Sequence, residues 1–296
     1  MSKKISLTSG SLQIKYGVKP ALKLVKDAGF DGVDFGLDSF RHNSLPDIVN
    51  MEHTEFVEYF KDIRNYADEI GLEIPTVHSL LYPYCEDETI NDERRRRGIR
   101  DIEAAAILGA KYCVMHSAST VIWGYTATPD FMHEINQRMY NDFIPTAEKF
   151  GIYLTLESFG NVKVDGVPGF DYFSHHKIMR DEYDSLNTEY KAFCLDSGHT
   201  NCAVAGGGLP VEHFIKYFGD RIKMLHLHDN NGFSDQHLIP GFGTVKWRPV
   251  FEALEEIGYD GYYNFELVLK FGQCTDESVK FLGKYLRAFV DGRGCP

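Results

Sequence analysis

No two cysteines in this chain form a Cys-x-x-Cys pair, so the thiolate spacing of structural zinc sites and dithiol redox motifs is missing. The six cysteines (Cys85, Cys113, Cys194, Cys202, Cys274, Cys295) are scattered, mostly inside apolar runs, which is the pattern of reduced thiols in a cytosolic protein. A chain of 296 residues can bury a large core without such staples. Nothing approaches the roughly 18 uninterrupted apolar residues of a membrane-spanning helix. Met1-Ser-Lys-Lys-Ile-Ser-Leu also lacks the apolar run of a secretory leader. Neither secretion nor membrane contact is expected, and the expected location is cytoplasmic. Positive charge is scarce: 31 Lys and Arg stand against 43 Asp and Glu, a formal net charge of −12, which argues against a nucleic-acid partner. The one basic cluster, Arg94–Arg97, is surrounded by Asp92, Glu93, Asp101 and Glu103 and reads as a solvated helix face. Because that helix would begin at the rim of the fold, a phosphate contact stays open. Linkers, low-complexity tracts and composition shifts are missing too, so one domain spanning 1–296 is expected.

What is present is a repeated phrase: a helical stretch, a glycine, then a short apolar strand. It recurs at Ala28-Gly29-Phe30, Ile70-Gly71-Leu72, Leu108-Gly109-Ala110, Phe150-Gly151-Ile152, Phe218-Gly219-Asp220 and Ile257-Gly258-Tyr259. Glycine just past a helix end tolerates left-handed dihedrals, so each phrase closes a helix before a strand. The strands predicted lie near 5–8, 32–36, 73–78, 111–116, 152–157, 192–196, 222–228 and 262–267, mostly as continuous apolar runs suited to burial on both faces. Amphipathic stretches lie between them, among them Glu55–Ile70, Arg94–Leu108, Phe131–Phe150 and Trp247–Ile257, with a last helix over 276–290. Eightfold strand–helix alternation implies an α/β fold, a closed (β/α)8 TIM barrel. The irregular region 158–188 reads as a long loop with a short helix over the barrel mouth.

In such barrels chemistry collects at the C-terminal ends of the strands. Six successive predicted ends carry His78, His116, Glu157, Asp196, His226 and Glu266. With 43 acids and 12 histidines in 296 residues, this sixfold run would arise by chance on the order of 10⁻⁵, and it still stands out after a roughly hundredfold discount for the freedom in placing the strand ends. Asp196-Ser-Gly-His199 adds a histidine one turn beyond a strand end, and Ser234-Asp235-Gln-His237 adds another Asp and His. Any one of these histidines taken alone reads as core or rim. Together they would repel or stay wet unless a cation neutralised the carboxylates, and a divalent metal is the simplest such cation. Glu157, Asp196 and Glu266 with His226 suit a hard ion such as Mn²⁺ or Mg²⁺, with Mn²⁺ favoured; the His-rich remainder (His78, His116, His199, His237) leans towards Zn²⁺ or Co²⁺.

The pieces Val77-His78, Val114-Met-His116, Leu156-Glu157, Leu195-Asp196-Ser-Gly-His199, Leu225-His226-Leu-His-Asp229, Asp235-Gln-His237-Leu-Ile-Pro-Gly241-Phe-Gly243 and Phe265-Glu266 resemble the xylose-isomerase-like barrel superfamily. That superfamily holds sugar isomerases and epimerases, dehydratases and apurinic endonucleases. The resemblance implies that Glu157, Asp196, His226 and Glu266 are metal ligands, and that His78, His116, His199, Asp235 and His237 match additional metal positions. The chain departs from the family's pattern at Ser158 and His228, where Asn and Lys are frequent, and it has no Arg shortly after His226.

The expected function is proton transfer on a sugar or cyclitol through a metal-stabilised enediolate, with Glu157 and Glu266 as paired acid and base. A dehydratase using the same site, an endonuclease-like phosphodiesterase and a non-catalytic sugar-binding subunit are the alternatives. His199, His228 and Trp123 are candidates for substrate binding, the two histidines through substrate hydroxyls. The aromatic loops (Tyr82, Tyr84, Trp123, Tyr125, Phe159, Phe170, Tyr172, Phe173) are candidate pocket walls. Gly241-Phe-Gly243-Thr244 reads first as a tight turn and second as a phosphate cradle. A homo-oligomer stays open.

Overall fold

The computed structural model describes residues 3–79, 84–118, 128–160, 162–164, 167–169, 172–267 and 275–294. Tyr82, Trp123, Tyr125, Phe170, Cys274 and Cys295 lie outside the described residues.

In chain order the elements are β1 (Ile5–Thr8), α1 (Gly10–Tyr16), α2 (Val18–Asp27), β2 (Gly32–Gly36), α3 (His53–Ile70), β3 (Glu73–His78), α4 (Glu88–Leu108), β4 (Tyr112–Val114), α5 (Pro129–Phe150) and β5 (Tyr153–Glu157). A hairpin of β6 (Val162–Val164) and β7 (Val167–Gly169) leads to α6 (His176–Ser185), β8 (Lys191–Asp196), α7 (Ser197–Ala203), α8 (Val211–Phe218), β9 (Ile222–His226), α9 (Trp247–Glu256), β10 (Tyr263–Phe265) and α10 (Asp276–Asp291). The region expected to be a loop with a helix therefore also carries the short antiparallel hairpin β6–β7.

Eight strands pair in parallel in the order β10-β1-β2-β3-β4-β5-β8-β9. The ring is drawn together where the Leu227 N–H donates to the Asn264 carbonyl at 2.8 Å, beside the bridge between Leu227 and Phe265. This is the eight-stranded α/β barrel expected from the strand–helix alternation. Gly71 and Gly109 end α3 and α4 in left-handed conformation, which is why a glycine was needed at those two corners. No described helix is long and apolar enough to cross a membrane. Cys85, Cys113, Cys194 and Cys202 are free thiols.

The strands do not read on both faces alike. Ile5, Leu7, Val33, Phe35, Val77, Cys113, Leu154, Leu156, Phe193, Leu195, Leu225 and Phe265 join one apolar core with the helices. Alternate positions turn inward because a strand's side chains have a period of two. Those inward positions carry Ser6, Asp34, Thr76, His78, Thr155, Glu157, Asp196, His226 and Asn264, all buried, over a small apolar floor of Val114, Cys194 and Met224. The large apolar core thus lies between sheet and helices, while the barrel's interior is a polar well.

Helix α10 docks on α2 through Gly283, whose hypothetical Cβ would sit 1.9 Å from the carbonyl oxygen of Ala28. In an open helix Gly→Ala stabilises by about 1 kcal/mol, but forcing atoms into a packed backbone contact costs about 1–3 kcal/mol. Gly283→Ala is expected to lower the urea midpoint of unfolding with an unchanged slope; a raised midpoint would show that the helices separate freely.

Candidate metal centre

Each chemical side chain reaches the well through strand parity. His78, Glu157, Asp196 and His226 are the last residues of β3, β5, β8 and β9, and Glu266 follows β10 directly. Asp196 and His226 are register partners on neighbouring strands, so adjacent ends deliver their side chains to one place. His116 stands two residues beyond β4 and faces the same well, its Nε2 3.2 Å from Nε2 of His78 and 3.2 Å from Glu157.

The central group is built round His226. Its Nδ1 lies 3.1 Å from Glu157 Oε1 and 3.2 Å from Glu266 Oε2. One ligand atom from each of Glu157, Asp196, His226 and Glu266 fits within 4.8 Å of the others. Yet among the described residues both ring nitrogens of His226, Oε2 of Glu157, Oε2 of Glu266 and Nδ1 of His116 have no hydrogen-bond partner. Atoms close enough to attract but misaligned for hydrogen bonds are aimed at a common point rather than at one another. Burying polar atoms unpaired costs about 1–3 kcal/mol each, and more for charged ones. The donor set of three carboxylates and an imidazole fits a divalent cation.

A second group lies at the rim. His199 Nδ1 donates to the Ser158 carbonyl at 2.9 Å, and His237 Nδ1 donates to the Glu266 carbonyl at 3.1 Å. Carbonyls only accept, so both Nδ1 atoms must carry protons. That leaves Nε2 of each ring pointing at Asp235 Oδ2, at 3.2 and 3.0 Å. Lone pairs facing a carboxylate are tolerable only with a proton or a cation between them, and fixing the tautomer through Nδ1 is how proteins orient imidazole ligands. His237 holds this position with φ 47°, a left-handed backbone uncommon for a residue with a side chain.

The electrostatics agree. Burial alone would raise Glu157, but the charges of His226 and His116 hold it well below the ordinary carboxylate range. Burial depresses His78, yet the Asp34 carboxylate and the charge of Glu266 outweigh it and lift the imidazole to about 9. His237 is likewise lifted against its burial to about 9, chiefly by Asp235. His226 stands well above its usual value, since Cys194, Glu157 and Glu266 overcome the cost of burial. Without an ion, protons do the neutralising.

The support behind these groups is specific. Asp34, buried mid-strand in β2, lies 3.5 Å from His226 Nε2 and 3.6 Å from His78 Nδ1, and accepts from Thr8 and Thr76 at 3.0 and 2.8 Å. Reading strand ends missed it. An acid inside the apolar run Gly32-Val-Asp-Phe-Gly36 was the available signal. Asp196 caps α7 by accepting from the His199 N–H at 2.6 Å. Ser158, where the family often has Asn, accepts the Asp196 N–H through Oγ at 2.9 Å. Asp229 accepts from the N–H groups of Gly241 and Val245 and from Trp247 Nε1, at 3.0, 3.1 and 2.9 Å. The Gly241–Thr244 turn is therefore folded onto a carboxylate.

The mouth opens as a cavity of about 520 Å³ whose walls include His78, His116, Glu157, His199, Asp235, His237 and Glu266. Asp38, Arg41 and Phe159 line it too, and the Phe159 ring stacks on His199 at 5.7 Å between centroids. His228 is not on this wall: it is fully buried, 2.9 Å from Asp196 and stacked on His237 at 3.9 Å. Its observed contacts are with Asp196 and His237, not with the cavity. Of the other aromatics, Tyr84, Tyr172 and Phe173 are buried in the core, and Trp123 falls outside the described residues.

Residues 22–285 match the family model described as a xylose isomerase-like TIM barrel. The uncharacterised protein MJ1311 of Methanocaldococcus jannaschii is 33% identical over 218 residues, covering 71% of this chain and 68% of that protein. Fructoselysine 3-epimerase of Shigella flexneri is 26% identical over 258 residues, with 85% of both chains covered. Among solved structures, the IolI protein with a bound zinc atom superimposes with a TM-score of 0.77 at 19% identity over 98% of each chain, a likeness of fold.

Two outcomes follow. A Cβ on Gly198 would lie 2.0 Å from His228 Cε1, and the stacked, buried ring has nowhere to go. Gly198→Ala is expected to weaken divalent-ion binding about 10–100-fold while the fold persists; unchanged affinity in a metal titration would remove His228 from its supporting role. His226 and His78 must also surrender protons before an ion enters. Raised imidazole values mean that ion affinity climbs from pH 6 towards pH 9 with proton release, measurable by calorimetry in buffers of different ionisation heat. Uptake independent of pH would contradict this.

Proposed function

The chain belongs to the xylose isomerase-like TIM barrel family, and on that premise we propose that it is a metal-dependent sugar or cyclitol isomerase or epimerase. The observation that carries this reading is the meeting of two carboxylates, the buried Glu157 and the half-buried Glu266, at Nδ1 of His226 on the wall of the cavity, each with an oxygen that has no hydrogen-bond partner. The resemblance to fructoselysine 3-epimerase over most of both chains supports it.

Glu157, Asp196, His226 and Glu266 would hold the principal ion; His78, His116, His199, Asp235 and His237 form the additional candidate positions. A divalent ion bound there supplies Lewis-acid polarisation of the substrate's oxygens, with Mn²⁺ favoured for the oxygen-rich set and Zn²⁺, Co²⁺ or Mg²⁺ as alternatives. The rest is the work of this chain's residues. One of Glu157 and Glu266 takes the proton from the carbon beside the substrate carbonyl, and the electron pair moves onto the carbonyl oxygen. The other of the pair, entering protonated as the carboxylic acid, gives its proton to the opposite face of that carbon as the carbonyl re-forms, giving the epimer. Return to the neighbouring carbon gives the isomer, and loss of a β-hydroxyl instead gives a dehydratase. His199 stands on the cavity wall as the candidate contact for a substrate hydroxyl through Nε2, its Nδ1 being taken by the Ser158 carbonyl, and Phe159 excludes water from one side. Asp34, Ser158 and His228 hold the ligands in position.

The manganese-restored protein, incubated in D₂O with a panel of ketohexoses, fructoselysine and inosose, is expected to place deuterium beside the carbonyl of one of them and to form its epimer. Glu157→Gln and Glu266→Gln should each slow that exchange about 10²–10⁴-fold. No exchange with any of the panel, or nicking of an abasic DNA duplex by the same preparation, would sink the isomerase reading.

A further inference from the structure

The arginine run in α4 is not the solvated face that its sequence suggests. Arg97 is buried: its Nε donates to Asp101 at 2.9 Å and its Nη2 to the Leu37 carbonyl at 2.6 Å, tying α4 to the segment after β2. The Leu37 N–H in turn donates to the His78 carbonyl at 2.9 Å, and the Ser39 hydroxyl donates to the Gly36 carbonyl at 2.7 Å. These ties hold the 3₁₀ turn Asp38–Arg41 at the mouth of the barrel. A turn held at both strand and helix presents its side chains in a fixed direction.

The first side chain of that turn is Asp38. Gly10, the first residue of α1, makes room for it: a Cβ there would lie 2.9 Å from Asp38 Oδ1, and the three atoms nearest to it all belong to this carboxyl. Yet Oδ1, withdrawn from water, has no hydrogen-bond partner among the described residues. Burial raises the carboxyl above its ordinary value; the His78 charge opposes the rise, the charges of Glu266 and Asp34 add to it, and Arg41 opposes it more weakly. Holding an acid this way costs free energy that no hydrogen bond to Oδ1 offsets.

Asp38 also stands on the wall of the 520 Å³ cavity. The imidazoles and the other carboxylates of that wall belong to the candidate metal groups, and the Ser79 hydroxyl is turned to Met115 Sδ at 3.1 Å. In the ring β10-β1-β2-β3-β4-β5-β8-β9, β2 is four places from β8, so Asp38 faces the cavity from the side opposite Asp196. A ligand lying on the central group therefore reaches Asp38 with the end turned away from β8. Carboxylates accept charge-assisted hydrogen bonds, and a polyol offers hydroxyl donors along its length.

We propose that Asp38 is a substrate contact and specificity determinant, whose carboxyl accepts a hydrogen bond from a sugar hydroxyl that Glu157, His226 and Glu266 leave uncovered. This rests on the isomerase reading and deepens it: the preferred sugar carries a hydroxyl on the β2 side of the cavity, and that contact fixes which carbon meets the two carboxylates.

The manganese-restored protein and its Asp38→Asn and Asp38→Ala variants test this in two stages. Without sugar, Asp38→Asn is expected to leave the urea midpoint level or raise it, since residues kept for a ligand cost stability, and manganese affinity stays unchanged. A lowered midpoint makes the carboxyl a support of α1, whose first residue it touches, and overturns the proposal. Manganese binding weakened tenfold makes it a metal ligand and overturns it equally. With the ketohexoses, fructoselysine and inosose of the exchange panel, Asp38→Ala is expected to raise KM for the reacting sugar about tenfold and to change kcat less, with Asp38→Asn between. Deoxy analogues of that sugar locate the hydroxyl: the one whose removal weakens the parent about tenfold should cost Asp38→Ala nothing. An unchanged KM, or removals that cost both proteins alike, overturns the contact and leaves the isomerase reading standing. Where no sugar of the panel exchanges, the isomerase reading fails, and the measurements without sugar decide Asp38 by themselves. A level or raised midpoint with manganese affinity retained then sustains a carboxyl held for an incoming donor, and a lowered one overturns it.

Discussion

Carboxylates and imidazoles withdrawn from water at the top of a parallel barrel have to share a positive charge, and much of the upper half of this molecule is arranged round that requirement. Glu157, Asp196 and Asp34 lie buried with His78, His116 and His226, and Glu266 joins them from the cavity wall. Their mutual repulsion is offset by protons on the imidazoles, which the carboxylates hold above their usual pKa. The unpartnered oxygens and nitrogens at the centre are the mark of a site not satisfied by its own side chains.

That requirement reaches outward through small, specific contacts. The Ser158 hydroxyl and the α7 N-terminus fix Asp196, while the carbonyls of Ser158 and Glu266 choose the tautomers of His199 and His237. Asp229 gathers three donors from the loop running to α9, so the segment that carries Asp235 and His237 is anchored at its far end. Gly198 is there because His228 occupies the space where a side chain would be. Each of these contacts sets where a carboxylate or imidazole of the group points.

The barrel divides labour between its two faces. Outward positions of the strands build the apolar core against the helices, where most of the stability resides. Inward positions carry polar residues from Ser6 and Asn264 to the strand ends, above the apolar floor of Val114, Cys194 and Met224. A substitution on one face therefore acts on stability and on the other face on chemistry.

The strand–helix rhythm, the closing glycines and the acids and histidines at successive strand ends were legible in the chain, because helix periodicity and strand termini are local properties. The resemblance in motif had the same source. Several features depended on distance. Asp34 was hidden in an apolar run, and only closure of the barrel brings it against His226. The hairpin Val162–Gly169 is too short and too irregular to announce itself. Arg97 looked solvated beside acidic neighbours, and its burial comes from a carbonyl sixty residues away. His228 and His199 looked alike as histidines near strand ends, but packing buries one against Asp196 and leaves the other on the cavity wall. Local sequence thus determined which residues stand at the mouth of the barrel. Which of them face one another, and which merely hold the others still, was decided by tertiary structure, since burial and distance belong to the closed ring and not to any one strand.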